Sequence, residues 1–388
     1  MIEQRRKFVQ QAVAAGANLS ALCREFGITR KTGRLWRDRA REEGLQALSD
    51  RSRRPLHSPH RLQEEEVCHL VMLKSAWPNW GPKKLGQLFQ ENLGRKLSRS
   101  TCHRVLKACG LVETRKARVR RPVSVTVAAR MAREPNDVWT IDYKGWWRTA
   151  DGSRCEPLTV RDAFSRYVLC AHLPPNGRTE SVEAEMNRLF RQHGLPKVIK
   201  SDNGVPFASV QGPLGLTRLS ASWVALGIQL EHSRPAHPQD NGAHERLHRD
   251  IKFEVESQRQ VDAKAQQAAL EVWRREHNEV RPHEALGGRR PAELYRRSLR
   301  ALPKDRPELG YGPGYLARSV TPAGTISYQG HQLFISSALA GWHVGLRPQG
   351  ENAVEVWFSH LLVGTINLQT MRFGSAPSRS AKAHGLAA

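Results

Sequence analysis

Two apolar, strand-like runs in this chain end in an acid, Asp142 in VWTIDYKG and Asp202 in IKSDNGVPF. A third acid, Glu245 in HPQDNGAHERLH, stands where a helix begins. Strand ends and helix starts gather along one edge of a sheet, so carboxylates far apart in sequence can meet there. Hard divalent cations such as Mg²⁺ take oxygen ligands and are commonly held by a few carboxylates plus substrate phosphate. Two such ions, roughly 3.5–4 Å apart, activate a water or hydroxyl and stabilise a leaving oxygen. The pattern predicts an α/β core whose acids carry out metal-dependent phosphoryl transfer.

Charge names the substrate class. The chain has 388 residues, with 61 Lys and Arg against 37 Asp and Glu, for a formal charge of +24. A polyanionic partner follows, and binding to it should weaken steeply with salt. DNA is the expected partner, with no small-molecule substrate. No N-terminal stretch joins a basic head to a long apolar core, and no window approaches the roughly 20 apolar residues that span a bilayer. A cytoplasmic protein with no membrane partner is expected. The six cysteines form no CxxC pair, so neither a disulfide frame nor a zinc ribbon is indicated. The doublets Cys68-His69 and Cys102-His103 point in different directions on a helix and are expected to be coincidental.

The chain divides by composition into an all-α N-terminal part, a central α/β part and a β-rich end. Residues 1–48 predict a helix-turn-helix domain. Phe8, Val9 and Val13 give one apolar face, and Leu22, Cys23 and Phe26 give a second. Gly27 permits the turn, Ile28 plugs it, and Thr29 caps the next helix. That helix should turn Leu35 and Trp36 inward and offer Arg30, Lys31, Arg34 and Arg37 to a major groove. A linker rich in Arg, Pro and His (49–61) leads to a second helical unit, 62–113. Its last helix opens on Ser98, ends at Gly110, and offers Arg99, Thr101, His103 and Arg104 to DNA. The basic run within 114–134, with Arg115, Lys116, Arg118 and Arg120, suits phosphate tracking but not base reading. A mixed-sheet core is expected over 135–300, with a meander from Val138 to Leu173, a helix over 181–193, short strands at 197–200 and 228–232, and helices from Gly242 and over 264–277. A small β-barrel-like module is expected over 310–373, and a disordered tail over 374–388.

The ordered motifs resemble a known family. They are W-x-x-D (Trp139 to Asp142), D-x-x-S-R (Asp162, Ser165, Arg166), S-D-N-G (201–204), H-P-Q-x-N-G-x-x-E-R (His237 to Arg246), N-x-x-R-P-H-x-A-L (Asn278 to Leu286) and Pro291. Nearly the whole chain is similar to the integrase-core transposases of bacterial insertion sequences, the DDE-type relatives of retroviral integrases. The resemblance implies an RNase H-like core in which Asp142, Asp202 and Glu245 bind two Mg²⁺ or Mn²⁺ ions. It implies hydrolysis at transposon ends, followed by attack of the new 3′-hydroxyl on target DNA. It also implies a homo-oligomer, dimer or tetramer, that synapses two ends near the bacterial nucleoid. The stretch between Asp202 and Glu245 is longer than is common in that family. The surplus falls around GPLGLTRLS, which reads as a loop-like insertion.

Two other acids are decoys. Asp162 is expected to close a turn with Ser165, and Asp240 to cap the helix of Glu245. A rival reading shares Glu245: residues 244–248 spell His-Glu-Arg-Leu-His, the H-E-x-x-H pattern of zinc peptidases. Under it His248 would be essential and Asp142 irrelevant. Under the transposase reading both histidines are expected to face solvent or DNA. A third reading, a catalytically silent DNA-binding protein, would leave all three acids without a task.

Overall fold

The structure, a computed structural model, describes residues 2–51, 61–112, 132–175, 179–209, 212–233 and 242–376. It divides into two units, residues 1–66 and 67–388. The first unit holds α1 (Ile2–Ala12), α2 (Leu19–Glu25) and α3 (Arg30–Glu43). Asn18 caps α2 by accepting from the Ser20 and Ala21 amides, and Thr29 caps α3 by accepting from the Thr32 amide. Gly27, at φ +63°, turns the chain between them. Phe8, Val9, Cys23 and Leu48 form the core, with the Phe8 ring edge-on to Phe26 and Trp36. The helices meet so closely that a Cβ on Gly33 would lie 2.9 Å from Phe8 Cζ. Two expected core residues lie outside it: Val13 is 61% and Leu35 48% exposed. Val13 follows the end of α1. The inward stripe of α3 runs through Gly33, Trp36 and Ala40, which leaves Leu35 off the stripe.

The second unit takes in α4 (Glu64–Ala76) from Val67 onward, then α5 (Pro82–Leu93) and α6 (Arg99–Ala108). Ser98 caps α6 by accepting from the Thr101 amide, and Gly110, at φ +73°, closes it. Leu70, Leu85, Phe89, Cys102 and Leu106 are buried. Burial pushes the Cys102 thiol up to about 11, so it behaves as a small hydrophobic group.

The central sheet is mixed, as its sequence predicts. Its elements are β1 (Val138–Tyr143), the short pair β2 (Trp147–Arg148) and β3 (Arg154–Cys155), β4 (Leu158–Asp162), β5 (Val168–His172), α7 (Thr179–His193), β6 (Val198–Ser201), α8 (Arg218–Ala225), β7 (Gln229–His232), α9 (Gly242–Ile251), α10 (Ala263–Glu279) and α11 (Pro291–Leu294). Five strands pair in the order β5-β4-β1-β6-β7. β1, β4 and β5 are antiparallel, and β6 and β7 run parallel to β1. Alternation sorts the layers. Trp139, Ile141, Leu158 and Val160 pack beneath Val182, Met186, Leu189 and Phe190 of α7. Thr140, Asp142 and Thr159 belong to the opposite face, where Leu247 and Ile251 of α9 and Leu270 and Trp273 of α10 join the core.

The expected insertion contains more than a loop. Part of GPLGLTRLS is the start of α8, capped by a reciprocal pair of hydrogen bonds between Thr217 and Ser220. This helix is buried on two sides. Leu219 and Trp223 enter the core with α7, whereas Ala221, Val224 and Ala225 join the core of the C-terminal strands. Those strands are β8 (Leu316–Ser319), β9 (Thr325–Tyr328), β10 (His331–Phe334), β11 (His343–Gln349), β12 (Ala353–Phe358), β13 (Leu361–Asn367) and β14 (Arg372–Ser375). They form a five-stranded antiparallel sheet, β14-β13-β12-β11-β8, and a separate β9–β10 hairpin. Gly374 and Ser375 extend β14 beyond the expected boundary at 373. The rest of the expected tail, from 377 onward, lies outside the described residues.

Candidate active site

Parallel pairing of β1 with β6 sets Val138 beside Val198 and Thr140 beside Lys200. Two further steps along the same register bring Asp142 level with Asp202, just past the end of β6. Asp142 is half-buried, while Asp202 and Glu245 are exposed. Burial first, then the charges of Asp202 and Glu245, push the Asp142 carboxyl up to about 7, against a hydrogen bond from the Tyr143 amide that pulls it down. Asp142 therefore feels the charge of both other acids predicted from sequence. The S-D-N-G turn fixes the second: the Gly204 amide donates to Asp202 Oδ1 at 3.2 Å, and Asn203 Nδ2 donates to the Ser233 carbonyl at 2.6 Å. A Cβ at Gly204 would sit 3.0 Å from Asp202 Oδ2, so a side chain there would crowd the carboxylate. Among the described residues, no three His, Cys, Asp or Glu side chains are already closed up as a ligand set. Like charges do not close up unaided.

Helix α9 carries Glu245 on its exposed side and its histidines on the other. His244, Leu247, His248 and Ile251 follow the i, i+3, i+4, i+7 spacing of a buried stripe. His244 is fully buried, with Nδ1 2.9 Å from Thr140 Oγ1 and Nε2 2.7 Å from Thr159 Oγ1. His248 Nε2 lies 2.8 Å from the same Thr159 oxygen. Burial pushes His248 down to about 4 and His244 well below the usual imidazole range, so both are neutral. This corrects the expectation that they face solvent or DNA. It also counts against the peptidase reading, because both ring nitrogens of His244 and Nε2 of His248 are spent on threonine hydroxyls and Glu245 is on the outer face.

Other motif residues are structural. Asp162 is fully buried and accepts from the Ser165 amide (2.7 Å), the Ser165 hydroxyl (2.6 Å) and the Asn136 amide (2.7 Å). It closes the turn that its spacing predicts. Asp240 lies outside the described residues. Sequence reasoning gave no role to Asn278 or Arg281 of the N-x-x-R-P-H motif. Asn278 Oδ1 accepts from the Val168 amide at 2.8 Å and Nδ2 donates to the Val168 carbonyl at 2.9 Å, so it pairs with edge strand β5 as another strand would. Arg281 reaches Asp250 of α9 at 3.1 Å and Glu254 just beyond it at 2.9 Å. The signal for these roles was the motif's polar character on an otherwise buried segment.

The candidate DNA-facing residues separate into three groups. Arg30, Lys31 and Arg34 are exposed along α3, and Arg37 is partly covered and bonded to Asp38 at 2.9 Å. On α6, Arg99, His103 and Arg104 are exposed, but Thr101 is half-buried with its hydroxyl 2.9 Å from Ser98 Oγ. Arg115, Lys116, Arg118 and Arg120 lie outside the described residues. No described helix is long and apolar enough to cross a membrane.

Comparison with known proteins follows the same order along the chain. Residues 4–55 match a helix-turn-helix domain and 32–106 a homeodomain-like domain. Residues 132–238 and 226–291 match the integrase core domain, and 316–373 match the C-terminal domain of the IS481 family transposases. An uncharacterized 31.7 kDa protein of insertion element IS407 from Burkholderia multivorans is 25% identical over 248 residues, 63% of this chain and 86% of the relative. An uncharacterized 39.2 kDa protein of insertion element IS476 from Xanthomonas euvesicatoria is 24% identical over 229 residues, 58% of this chain and 63% of the relative. The Pro-Pol polyprotein of simian foamy virus type 3 is 33% identical over 120 residues, 31% of this chain and 10% of that polyprotein. Among solved structures, the catalytic core domain of BIV integrase matches at 25% identity and TM-score 0.33, covering 41% of this chain and 93% of that one. A chain of the simian T-cell lymphotropic virus intasome matches at 15% identity and TM-score 0.37, covering 79% and 99%.

The class defined is that of proteins with an integrase core and helix-turn-helix DNA-binding domains. Within it, the integrase core, the C-terminal domain of the IS481 family transposases and the similarity to insertion-element proteins support the function of a transposase/integrase.

Proposed function

We propose that the protein cleaves DNA at the ends of its own insertion sequence and joins the freed 3′-hydroxyl to target DNA, using Asp142, Asp202 and Glu245 as ligands for two Mg²⁺ or Mn²⁺ ions. One observation carries this reading: burial and the charges of Asp202 and Glu245 push the Asp142 carboxyl up to about 7. A half-buried carboxyl whose proton affinity is raised by two further carboxylates fits a divalent cation, which relieves the repulsion in place of a proton. When bound, the ions would supply activation of the attacking oxygen and stabilisation of the leaving one.

The remaining work belongs to the chain's own residues. Asp142 is held at the end of β1 by the sheet, Asp202 by the turn that needs Gly204, and Glu245 by a helix whose inner face is packed. Catalysis would then rest on positioning and charge neutralisation, with no covalent enzyme intermediate. In the proposed organisation residues 1–48 and 62–113 are DNA-binding domains, joined by linkers at 49–61 and 114–134. Residues 135–300 are the catalytic core and 310–373 the β module. Arg30, Lys31, Arg34 and Arg37 read the transposon end from α3. Arg99, Thr101, His103 and Arg104 on α6 and the basic linker residues add phosphate contacts. The working form is a homo-oligomer that synapses two ends.

The test is strand transfer by the purified protein on labelled DNA carrying the flanking ends of its own gene, with Mg²⁺ or Mn²⁺. Joined product is expected from the wild type and none from Asp142→Asn. Unchanged product from Asp142→Asn would overturn the assignment. DNA binding without product, with paired ends and either metal, would favour a silent DNA-binding protein.

A further inference from the structure

The two histidines flanking Glu245 and the threonine beneath them form one hydrogen-bonded unit. Thr159 stands directly opposite Asp142 in the β1–β4 ladder, and its hydroxyl donates to the Asp142 carbonyl at 2.9 Å. A hydroxyl has one hydrogen and two lone pairs. With that hydrogen used, Thr159 Oγ1 is an acceptor toward both imidazoles, and each Nε2 must be the protonated nitrogen that donates to it, at 2.7 Å from His244 and 2.8 Å from His248. His244 Nδ1 is then an acceptor, and the Thr140 hydroxyl donates to it at 2.9 Å. Thr159 and His244 are fully buried, so these groups have no exchange with water to fall back on. Arg281 holds the far end of the same helix through Asp250 and Glu254.

We propose that Thr159, His244 and His248 are positioning residues that set the helix of Glu245 at a fixed distance from Asp142, and so set the divalent-metal affinity of the acid set. The H-E-x-x-H pattern here supplies proton donors to a threonine and takes no metal. This inference rests on the reading of Asp142, Asp202 and Glu245 as metal ligands. Outer partners of metal ligands commonly change affinity by about 10–100-fold when removed. Thr159 touches both the backbone of one acid and the helix of another, so its loss should act on metal binding more than on DNA binding.

The experiment measures Mn²⁺ binding to the full chain by electron paramagnetic resonance, alongside the Mn²⁺ concentration for half-maximal strand transfer, affinity for end DNA, and Tm. Thr159→Val removes the hydroxyl at similar size and should weaken Mn²⁺ binding and raise the half-maximal Mn²⁺ concentration by about tenfold or more. End-DNA affinity should stay unchanged. Thr159→Ser restores the hydroxyl and should bring Mn²⁺ binding back to within about threefold of wild type, by the same scale. Should Thr159→Val fail to fold, His248→Gln and His248→Ala decide: the glutamine keeps an N–H donor and should bind Mn²⁺ better than the alanine. Wild-type Mn²⁺ binding in folded Thr159→Val, with Asp142→Asn defective in the same titration, would overturn the positioning role alone. Wild-type Mn²⁺ binding in Asp142→Asn would overturn the three-acid reading itself, and this inference with it.

Discussion

The β1–β4 ladder has an aspartate at each end, and the two are treated in opposite ways. Asp162, opposite Trp139, is fully buried and receives three hydrogen bonds from Ser165 and Asn136. Asp142, opposite Thr159, is half-buried and set against the charges of Asp202 and Glu245. Burial raises the proton affinity of both, but at Asp162 hydrogen-bond donors and Arg161 oppose the rise, whereas at Asp142 two more acids add to it. A carboxylate surrounded by donors stabilises a turn. One surrounded by carboxylates lowers stability unless protons or cations intervene, and that arrangement persists at functional sites. The comparison thus separates an acid that closes a turn from the one proposed as a metal ligand, on neighbouring strands.

The largest effect that could break it is kinetic. Asp142→Asn should lower strand transfer by at least ~10²–10³-fold while leaving end-DNA affinity intact, as filter binding and product gels would show. Asp162→Asn should do the reverse. Replacing one acceptor oxygen by a donor beside the Ser165 and Asn136 amides should cost about 1–3 kcal/mol of stability by urea titration, with activity per folded molecule retained. Equal losses of activity at both positions would erase the distinction.

A third test separates binding from chemistry. Arg34→Ala on α3 should weaken specific end binding by about 1–3 kcal/mol and leave metal-dependent nicking of nonspecific DNA in place. Unchanged specific binding would remove α3 from the recognition role.

A fourth test is the pH dependence of stability without divalent metal. Because the folded Asp142 carboxyl titrates near about 7, the folded state keeps a proton that the unfolded chain gives up near its ordinary value of about 4. Stability should therefore fall as pH rises from about 4 to about 7 and level off above, relative to Asp142→Asn, in which this slope is absent. Thermal melts in chelator across that window would reveal it, and identical slopes in the two proteins would contradict the burial and charge argument.

Much of this was legible in the sequence. The strand ends at Asp142 and Asp202, the start of α9 before Glu245, the mixed sheet and the Asp162–Ser165 turn all follow from local patterns. The histidines were misjudged for a physical reason. H-E-x-x-H suggests a ligand pair, but His244 and His248 share their spacing with Leu247 and Ile251, and that stripe decides which face of α9 is buried. α8 was hidden because a helix buried on two sides shows no polar face, and its Ala221, Val224 and Ala225 meet strands about a hundred residues later in the chain. The roles of Asn278 and Arg281 depend on Val168, Asp250 and Glu254, partners that spacing alone does not reveal.

The most direct test of the central claim is the structure of the protein on paired transposon ends soaked with Mn²⁺, with the metal located by anomalous scattering. The account predicts two peaks roughly 3.5–4 Å apart among the carboxylates of Asp142, Asp202 and Glu245. A peak at His244 and His248, or peaks away from the three acids, would contradict it.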